Sequence, residues 1–193
     1  DGSESSSGTA RSRAERRGAA RPRRRSSVPR RGFASTEKAL DTLAASGARV
    51  SVRVSDLDRG TPVLAGDDFV TLPVAGMGIV PLLIEVATRF DAGTLDPLEI
   101  VDRSTVGDVA VAGLWRHLVA PALPLGDLAV LAASTGDALA ANALLERVGL
   151  DAVRARIGSL GMPRTALLDR FRDTRGPDDA PHYALGTARE LAA

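Results

Sequence analysis

Few side chains in this sequence could act as nucleophiles, bases or metal ligands. The 193 residues contain no cysteine, a single lysine (Lys38) and two histidines (His117 and His182). Without cysteine there is neither a thiolate nucleophile nor a thiolate zinc site, and two histidines are too few for a multi-histidine metal cluster. A mechanism that needs a lysine amine can use only Lys38. The sequence therefore predicts no metal site and no cofactor.

The remaining candidate groups have simpler structural interpretations. Ser134 and Thr135 could supply a hydroxyl nucleophile, but no histidine or lysine is placed beside them, so a helix end is the better interpretation. We expect His117 to lie on the surface and His182 to anchor a loop. The pair Asp178-Asp179 has no further ligand spacing around it, which makes it weak evidence for a cation site.

Charge is distributed unevenly along the chain. Residues 1–31 contain ten arginines against three acidic residues, which gives +7, so the overall charge of +1 leaves −6 for the rest. Val28 is the only large aliphatic residue of this segment, which cannot bury enough apolar surface to offset its ordering entropy. We expect residues 1–32 to form a disordered Arg/Ser-rich arm. The arm could bind an anionic polymer (nucleic acid or a membrane surface), although a solvated tail is the simpler interpretation, because no aromatic residues alternate with the arginines.

Hydrophobic periodicity in the rest of the chain predicts a β-hairpin followed mostly by helices. Valine alternates with polar residues in Arg49–Asp56, which indicates a half-buried strand, and Pro62–Ala65 indicates its partner. No run of about 18 apolar residues and no apolar signal-peptide core is found, so we expect neither a membrane span nor a leader. Helices are predicted after Ser35, at Val80–Phe90, Leu125–Ser134, Ala138–Val148 and Leu150–Leu160, and after Thr187, with one helical turn at Leu114–Leu118.

Four stretches resemble the class A serine β-lactamase family, in the order in which that family has them. Leu72–Glu85 looks like the nucleophile helix, and Thr135–Leu145 looks like the second motif with its following helix. Leu150–Gly161 is similar to the next helix, and Leu168–Phe171 is similar to the entrance of the family's Ω-loop. The resemblance covers about residues 35–193. It implies an α/β fold of the β-lactamase/transpeptidase type, shared with penicillin-binding serine hydrolases.

The resemblance also predicts the organisation of the domain. Residues 33–193 would form an incomplete β-lactamase-like domain, with a hairpin at 49–66, a mostly helical part at 74–165 and an Ω-like loop at 167–184. The C-terminal strands of the family's sheet are expected to be missing. An unfinished sheet exposes an edge, so a homo-oligomer or a partner strand at that edge is a hypothesis. The family resemblance suggests an exported bacterial protein.

The resemblance ends at the positions that carry the family's acyl-transfer chemistry. That chemistry uses a serine nucleophile and a lysine one helical turn later, and the matching residues here are Gly76 and Ile79. The serine and asparagine of the second motif correspond to Gly136 and Ala138. The glutamate of the Ω-loop corresponds to Arg172, which cannot act as a base because a guanidinium does not lose its proton in proteins. The resemblance therefore implies no working acylation or deacylation apparatus.

Some residues that are not reactive in the family are retained. Asp137 and Asn142 match residues that, by the resemblance, tie the helical part to the loop. Arg170 matches the loop-closing arginine, although the position of its aspartate partner falls on Ala184. By the resemblance, residues that support the fold are thus retained, whereas the residues that carry the reaction are replaced.

A vacant cleft is the candidate binding site. It would lie between Gly76, Gly136 and the loop near Arg172, with Met77 and Asp137 at its edge. The glycines that flank Met77 do not form a phosphate loop, since the later Gly-Lys-Ser/Thr is absent, but they could let an anion approach the helix N-terminus. A β-lactam or a peptidoglycan-like ligand is the hypothesis for this cleft.

Three functions remain open from the sequence alone. The preferred one is a non-catalytic binding or scaffold protein, because removing even one member of a catalytic set costs most of the rate. The second is an active serine hydrolase of β-lactamase type with non-standard residues or a further C-terminal part. The third is binding of an anionic polymer through the Arg-rich arm.

Overall fold

The computed structural model describes residues 32–107, 109 and 113–193. The predicted disorder of the arm, and its contacts with an anionic polymer, concern residues 1–31 and lie outside the described residues. The helices are α1 (Ala34–Ala45), α2 (Ile79–Asp91), α3 (Leu125–Thr135), α4 (Ala138–Val148), α5 (Leu150–Ser159) and α6 (Ala188–Leu191). The strands are β1 (Val52–Asp56), β2 (Thr61–Gly66), β3 (Leu72–Pro73), β4 (Ile100–Asp102), β5 (Ala122–Pro124), β6 (Ala166–Leu167) and β7 (Ala184–Gly186).

The core lies between helices α2, α3, α4 and α5. On α2, Leu82 and Val86 are one turn apart and point into it, with 0% and 1% of their surface exposed. Four of the eleven residues of α4 are alanines, whose small side chains let neighbouring helices approach closely, and most residues of the helix are buried. Gly136, with φ +65°, ends α3 in the left-handed conformation that favours glycine. The chain can therefore turn directly from α3 into α4.

The hairpin is joined to the rest of the domain through a buried carboxylate. Asp68 accepts hydrogen bonds from Arg53 on β1 at 2.6 Å and from Arg189 on α6 at 2.8 Å. The bonds from Arg189 and Arg53 hold the pKa of the Asp68 carboxyl below its ordinary value of 3.8. Helix α1, at the start of the domain, has no buried residue. None of the helices among the described residues is both long and apolar enough to cross a bilayer.

Five short strands lie outside the hairpin, where the sequence predicted none. Strands β3, β7 and β6 form a three-stranded antiparallel sheet in that order, and β4 pairs with β5. The prediction that strands come only from residues 49–66 was therefore wrong. Each missed strand has two or three residues, too few to show the alternation that identifies a strand. One of these pairings, Leu167 with Ala184, joins the two ends of the Ω-like loop.

Candidate functional site

A strained turn leads into helix α2 at the position of the family's nucleophile. The backbone N–H of Val74 donates to the carbonyl of Ala184 at 3.1 Å, which fixes the chain beside β7. The next residue, Ala75, has φ +43°, a left-handed conformation that costs a non-glycine residue of order 1 kcal/mol or more. Gly76 follows in an exposed position, and a Cβ added there would meet nothing within 4 Å. Residue 76 is therefore exposed, with free space around it, at the entrance to the helix. Nothing in the sequence around Ala75 indicated the strained backbone conformation of that residue.

The three residues after Gly76 face different surroundings. Ile79 has 4% of its surface exposed and belongs to the core. A Cβ at Gly78 would lie 2.5 Å from the Cβ of Ala184 and 2.7 Å from Cε1 of Tyr183, so these neighbours exclude any side chain at this position. Met77 is 48% exposed and lines a groove on the outer side of α2. The space around Gly76 is therefore not filled by the side chain of the residue that follows it.

The aspartate of the second motif, Asp137, is a structural residue. Its carboxylate accepts hydrogen bonds from the backbone N–H groups of Leu114 at 2.7 Å, Trp115 at 2.8 Å and Ala140 at 2.9 Å. The bond from Ala140 caps helix α4. Asp137 has 0% of its surface exposed, so the expectation that it lines a ligand cleft is corrected: its oxygens are used within the fold.

The hydroxyls beside the second motif are also used within the fold. Ser134 Oγ donates to the carbonyl of Val130 at 2.6 Å, and Thr135 Oγ1 donates to that of Leu131 at 2.8 Å. Both are back-bonds to the preceding turn of α3, and both residues are exposed. Within the described part of the chain, neither hydroxyl is hydrogen-bonded to a base.

Asn142 connects helix α4 to the Ω-like loop, as the resemblance implied. Its Oδ1 accepts from the backbone N–H of Phe171 at 2.8 Å, and its Nδ2 donates to the carbonyl of the same residue at 3.0 Å. The Phe171 ring stacks on Tyr183, with 3.8 Å between the ring centroids. Since Tyr183 also packs against Gly78, the loop and the start of α2 are held by one contiguous set of contacts.

Arg172, at the position of the family's glutamate, belongs to an ion cluster inside the loop. Its Nε donates to Asp169 at 2.7 Å and its guanidinium pairs with Asp179 at 3.3 Å, while Arg175 binds Asp169 at 3.0 Å. Burial of Asp169 opposes its ionisation, but hydrogen bonds from Arg172, from the Arg170 backbone and from Arg175 outweigh it and hold the pKa below its ordinary value. Hydrogen bonding to Asp169 raises the pKa of Arg172. Arg172 is therefore a cation fixed within the loop.

The residues expected to form one ligand cleft are not brought together. Met77 and Arg172 line separate cavities of about 370 Å³ and 280 Å³, and Asp137 is buried. No group of three or more histidine, aspartate or glutamate side chains in the described part of the chain is arranged to hold a metal ion. The groove beside Met77 is mostly apolar, and its other side chains are Val80, Pro81, Ile84, Leu160, Met162, Glu190, Leu191 and Ala193.

Comparison with known proteins gives the same fold. The model of the Beta-lactamase enzyme family matches residues 35–193. The β-lactamase from Sphaerobacter thermophilus is 26% identical over 83% of this chain and 60% of its own, with a TM-score of 0.72. An ancestral class A β-lactamase is 25% identical over 81% of this chain and 60% of its own, with a TM-score of 0.66. A mutant of PBP-A, in an acyl-enzyme complex with penicillin G, shares the fold at 17% identity, covering 83% of this chain and 60% of its own, with a TM-score of 0.66.

The sequence matches no curated protein. The chain spans about 60% of the length of these solved structures. The predicted α/β fold of β-lactamase/transpeptidase type is confirmed, in a helix-rich form with few strands. This chain belongs to the Beta-lactamase enzyme family.

Proposed function

We propose that this chain is a β-lactamase-like domain that does not form an acyl-enzyme, and that it acts as a non-catalytic binding or scaffold protein. The observation that carries the proposal is Gly76 at the entrance to α2. The position is open to solvent and has room for a side chain, yet glycine offers no atom that a carbonyl could acylate.

The residue one turn after Gly76 removes the second part of the mechanism. Ile79 is apolar and buried, so it can neither accept a proton nor stabilise a charge. The only lysine, Lys38, lies on α1, where its side chain is exposed. The only lysine of the sequence therefore lies on a different helix from Ile79.

Tyr183, which packs against Gly78, and Arg172 of the Ω-like loop are poor replacements for the missing groups. The Tyr183 hydroxyl is buried without a hydrogen-bond partner among the described residues, and burial raises its pKa, so it stays protonated at neutral pH. Arg172 cannot activate a water molecule for deacylation, since it stays protonated and paired with Asp169. Both steps of the family's reaction lack a group to perform them.

The retained scaffold supports a role that depends on shape. Asp137 and Asn142 still make the bonds that fix the segment before α3 and the loop after β6. A domain that keeps these internal contacts can present a defined surface to a ligand or partner without catalysing a reaction.

Intact-mass measurement after incubation with benzylpenicillin tests the proposal. We expect the unmodified mass, and no hydrolysis of a chromogenic β-lactam. A Gly76→Ser variant is the matched comparison, because it restores a hydroxyl where the structure leaves space for one. An adduct on this variant alone would show that the surrounding pocket still admits a β-lactam. A stoichiometric adduct on the wild-type chain would overturn the proposal, and peptide mapping would then identify the nucleophile.

A further inference from the structure

Most arginine side chains in the described fold are satisfied by a carboxylate or a carbonyl. Three guanidinium groups of the described residues make no hydrogen bond and no ion pair there: those of Arg49, Arg116 and Arg170. Arg170 is the residue that the family resemblance assigned to loop closure, and the position of its expected partner is the buried Ala184. The loop is closed by other groups, which leaves the Arg170 guanidinium available.

Two of these three arginines lie at neighbouring concave sites. Arg116 lines a cavity of about 580 Å³, and Arg170 lines one of about 280 Å³. Gly107 lines both cavities, so both lie against this residue. A Cβ at Gly107 would lie 3.2 Å from Nη1 of Arg170, so the lack of a side chain there leaves the guanidinium uncovered at the junction. We call the two cavities together the Gly107 cleft.

In the described lining of the Gly107 cleft, arginines outnumber aspartates, although acidic residues predominate in the domain around it. Residues 32–193 carry a formal charge of −6, obtained by subtracting the +7 of residues 1–31 from the total of +1. The described residues that line the cleft nevertheless include four arginines and two aspartates. Asp102 accepts hydrogen bonds from the hydroxyl and backbone N–H of Ser104, and it forms no ion pair with Arg116 or Arg170 among the described residues.

The cleft also offers hydrogen-bonding groups beside the two cations. The hydroxyl of Thr174 lines the smaller cavity and makes no hydrogen bond with the described residues. A guanidinium presents its N–H groups in a planar fork that matches the oxygens of a carboxylate or a phosphate. The cavity volumes fall in or near the range of about 300–1,000 Å³ that is usual for small-molecule sites.

We propose that Arg116 and Arg170 make the Gly107 cleft a binding site for a small ligand that carries phosphate or carboxylate groups. The site is separate from the turn at Gly76, and the inference does not depend on whether the chain is catalytic. It differs from binding by the Arg-rich arm, because both arginines belong to the folded domain.

Titration of the full chain, followed by ¹H–¹⁵N NMR, tests the proposal at the level of single residues. Inorganic phosphate and succinate are added separately, and the amide of Gly107 and the Nε–Hε groups of Arg116 and Arg170 are observed. The variants are Arg116→Gln, Arg170→Gln and the double substitution. Arg49→Gln is the matched control, since it removes an equally unpaired guanidinium outside the cleft. All variants keep the N-terminal arginines, so binding to the arm contributes equally to each.

We expect a saturable shift of the Gly107 signal, with a dissociation constant that rises at least about tenfold in the double variant and changes less than about twofold in the control. Tighter binding of phosphate than of succinate would identify a phosphate ligand, and the reverse order a carboxylate ligand. No saturable shift with either anion, or an equal loss in the Arg49→Gln control, would overturn the proposal. If the double variant fails to fold, each single variant is compared with the control in the same way.

Discussion

The two glycines that flank Met77 occupy their positions for different physical reasons. Gly78 is required by packing, since Tyr183 and Ala184 occupy the space that a side chain would need. Gly76 has open space around it and a φ outside the left-handed range, so neither packing nor backbone conformation demands glycine there. The absence of a nucleophile at Gly76 is therefore not a by-product of how the turn folds.

The same substitution at both glycines should separate these two reasons. Gly76→Ser should change the free energy of unfolding by less than about 0.5 kcal/mol, as for an ordinary surface site. Gly78→Ser should cost about 1–3 kcal/mol, because it overpacks the contact with Ala184 and Tyr183. Urea unfolding followed by the fluorescence of Trp115, the only tryptophan, measures both. Equal costs at the two positions would show that the packing at Gly78 is misassigned.

A second prediction at the residue scale concerns the buried carboxylate of Asp137. Asp137→Ala removes the cap of α4 and leaves the N–H groups of Leu114 and Trp115 without an acceptor. We expect a loss of at least about 2 kcal/mol in the free energy of unfolding, from a cap worth about 1 kcal/mol and from unsatisfied buried donors. Asp127→Ala is the control, because that exposed aspartate lies in the first turn of α3 without capping it, and it should cost less than about 1 kcal/mol. Both values come from urea unfolding curves, and a small effect at Asp137 would contradict its structural role.

At the scale of elements, the Ω-like loop is closed in a way that the family resemblance did not indicate. Instead of an Arg170–aspartate pair, the neck is closed by the β6–β7 pairing and by the ions around Asp169. Asn142 on α4 adds two hydrogen bonds to the backbone of Phe171 in the loop. The loop therefore keeps several independent attachments although the expected pair is lost.

Hydrogen exchange should reveal the contribution of the Asp169 cluster. The folded pKa of Asp169 lies below its unfolded value, so its contribution to stability is complete above about pH 5 and is lost as the pH falls through the folded pKa. Asp169→Asn should therefore speed amide exchange in residues 169–183 at pH 7, and the difference from the wild type should shrink below about pH 4.

Asp178→Asn is the matched control for this experiment. It removes an exposed carboxylate from the same loop, and Asp178 makes no ion pair with the described residues. Exchange in this variant should follow the wild type at both pH values. If the two variants behave alike, the loop is not held by the ions of Asp169.

The long helices and the hairpin were predictable from the sequence, whereas the short strands were not. Val80–Phe90 was predicted within one residue of each end of α2, because its apolar residues recur with the helical period over three turns. Strands β4 and β6 have three and two residues, and their pairing depends on contacts distant in sequence. At the site, the residue types at positions 76 and 79 could be assigned in advance. The strain at Ala75 and the ion pairs of Arg172 depend on tertiary structure and could not.

On the scale of the whole molecule, three carboxylates tie the fold together. Two of them join elements that are distant in sequence, and the third joins residues within the Ω-like loop. Each is bound by two arginines, and each has a pKa below its ordinary value. Glu85 is typical: its burial opposes ionisation, but hydrogen bonds from Arg89 and Arg156, which lie on α2 and α5, outweigh this effect. The carboxylates are Asp68 between the hairpin and α6, Glu85 between α2 and α5, and Asp169 within the Ω-like loop.

This arrangement predicts that the whole domain loses stability in acid. The folded pKa values lie below the unfolded ones, so the carboxylates stabilise the fold fully above about pH 5 and progressively less as the pH falls towards 3. Urea unfolding from pH 7 to pH 3 should show this decline. The Glu85→Gln variant should be less stable at pH 7 and should depend less steeply on pH than the wild type. A wild-type stability that is constant over this range would contradict the prediction.

The groove beside α2 contains both methionines of the chain, Met77 and Met162. Thioether side chains are flexible and soft, so they adapt to whatever covers them. In a sample labelled with ¹³C only at the methionine methyl groups, Met77 and Met162 would each give one resonance, and both methyl groups belong to residues that line this groove. The two methyl signals therefore report on this groove, and a molecule or segment that binds in it should shift them without any modification of the protein.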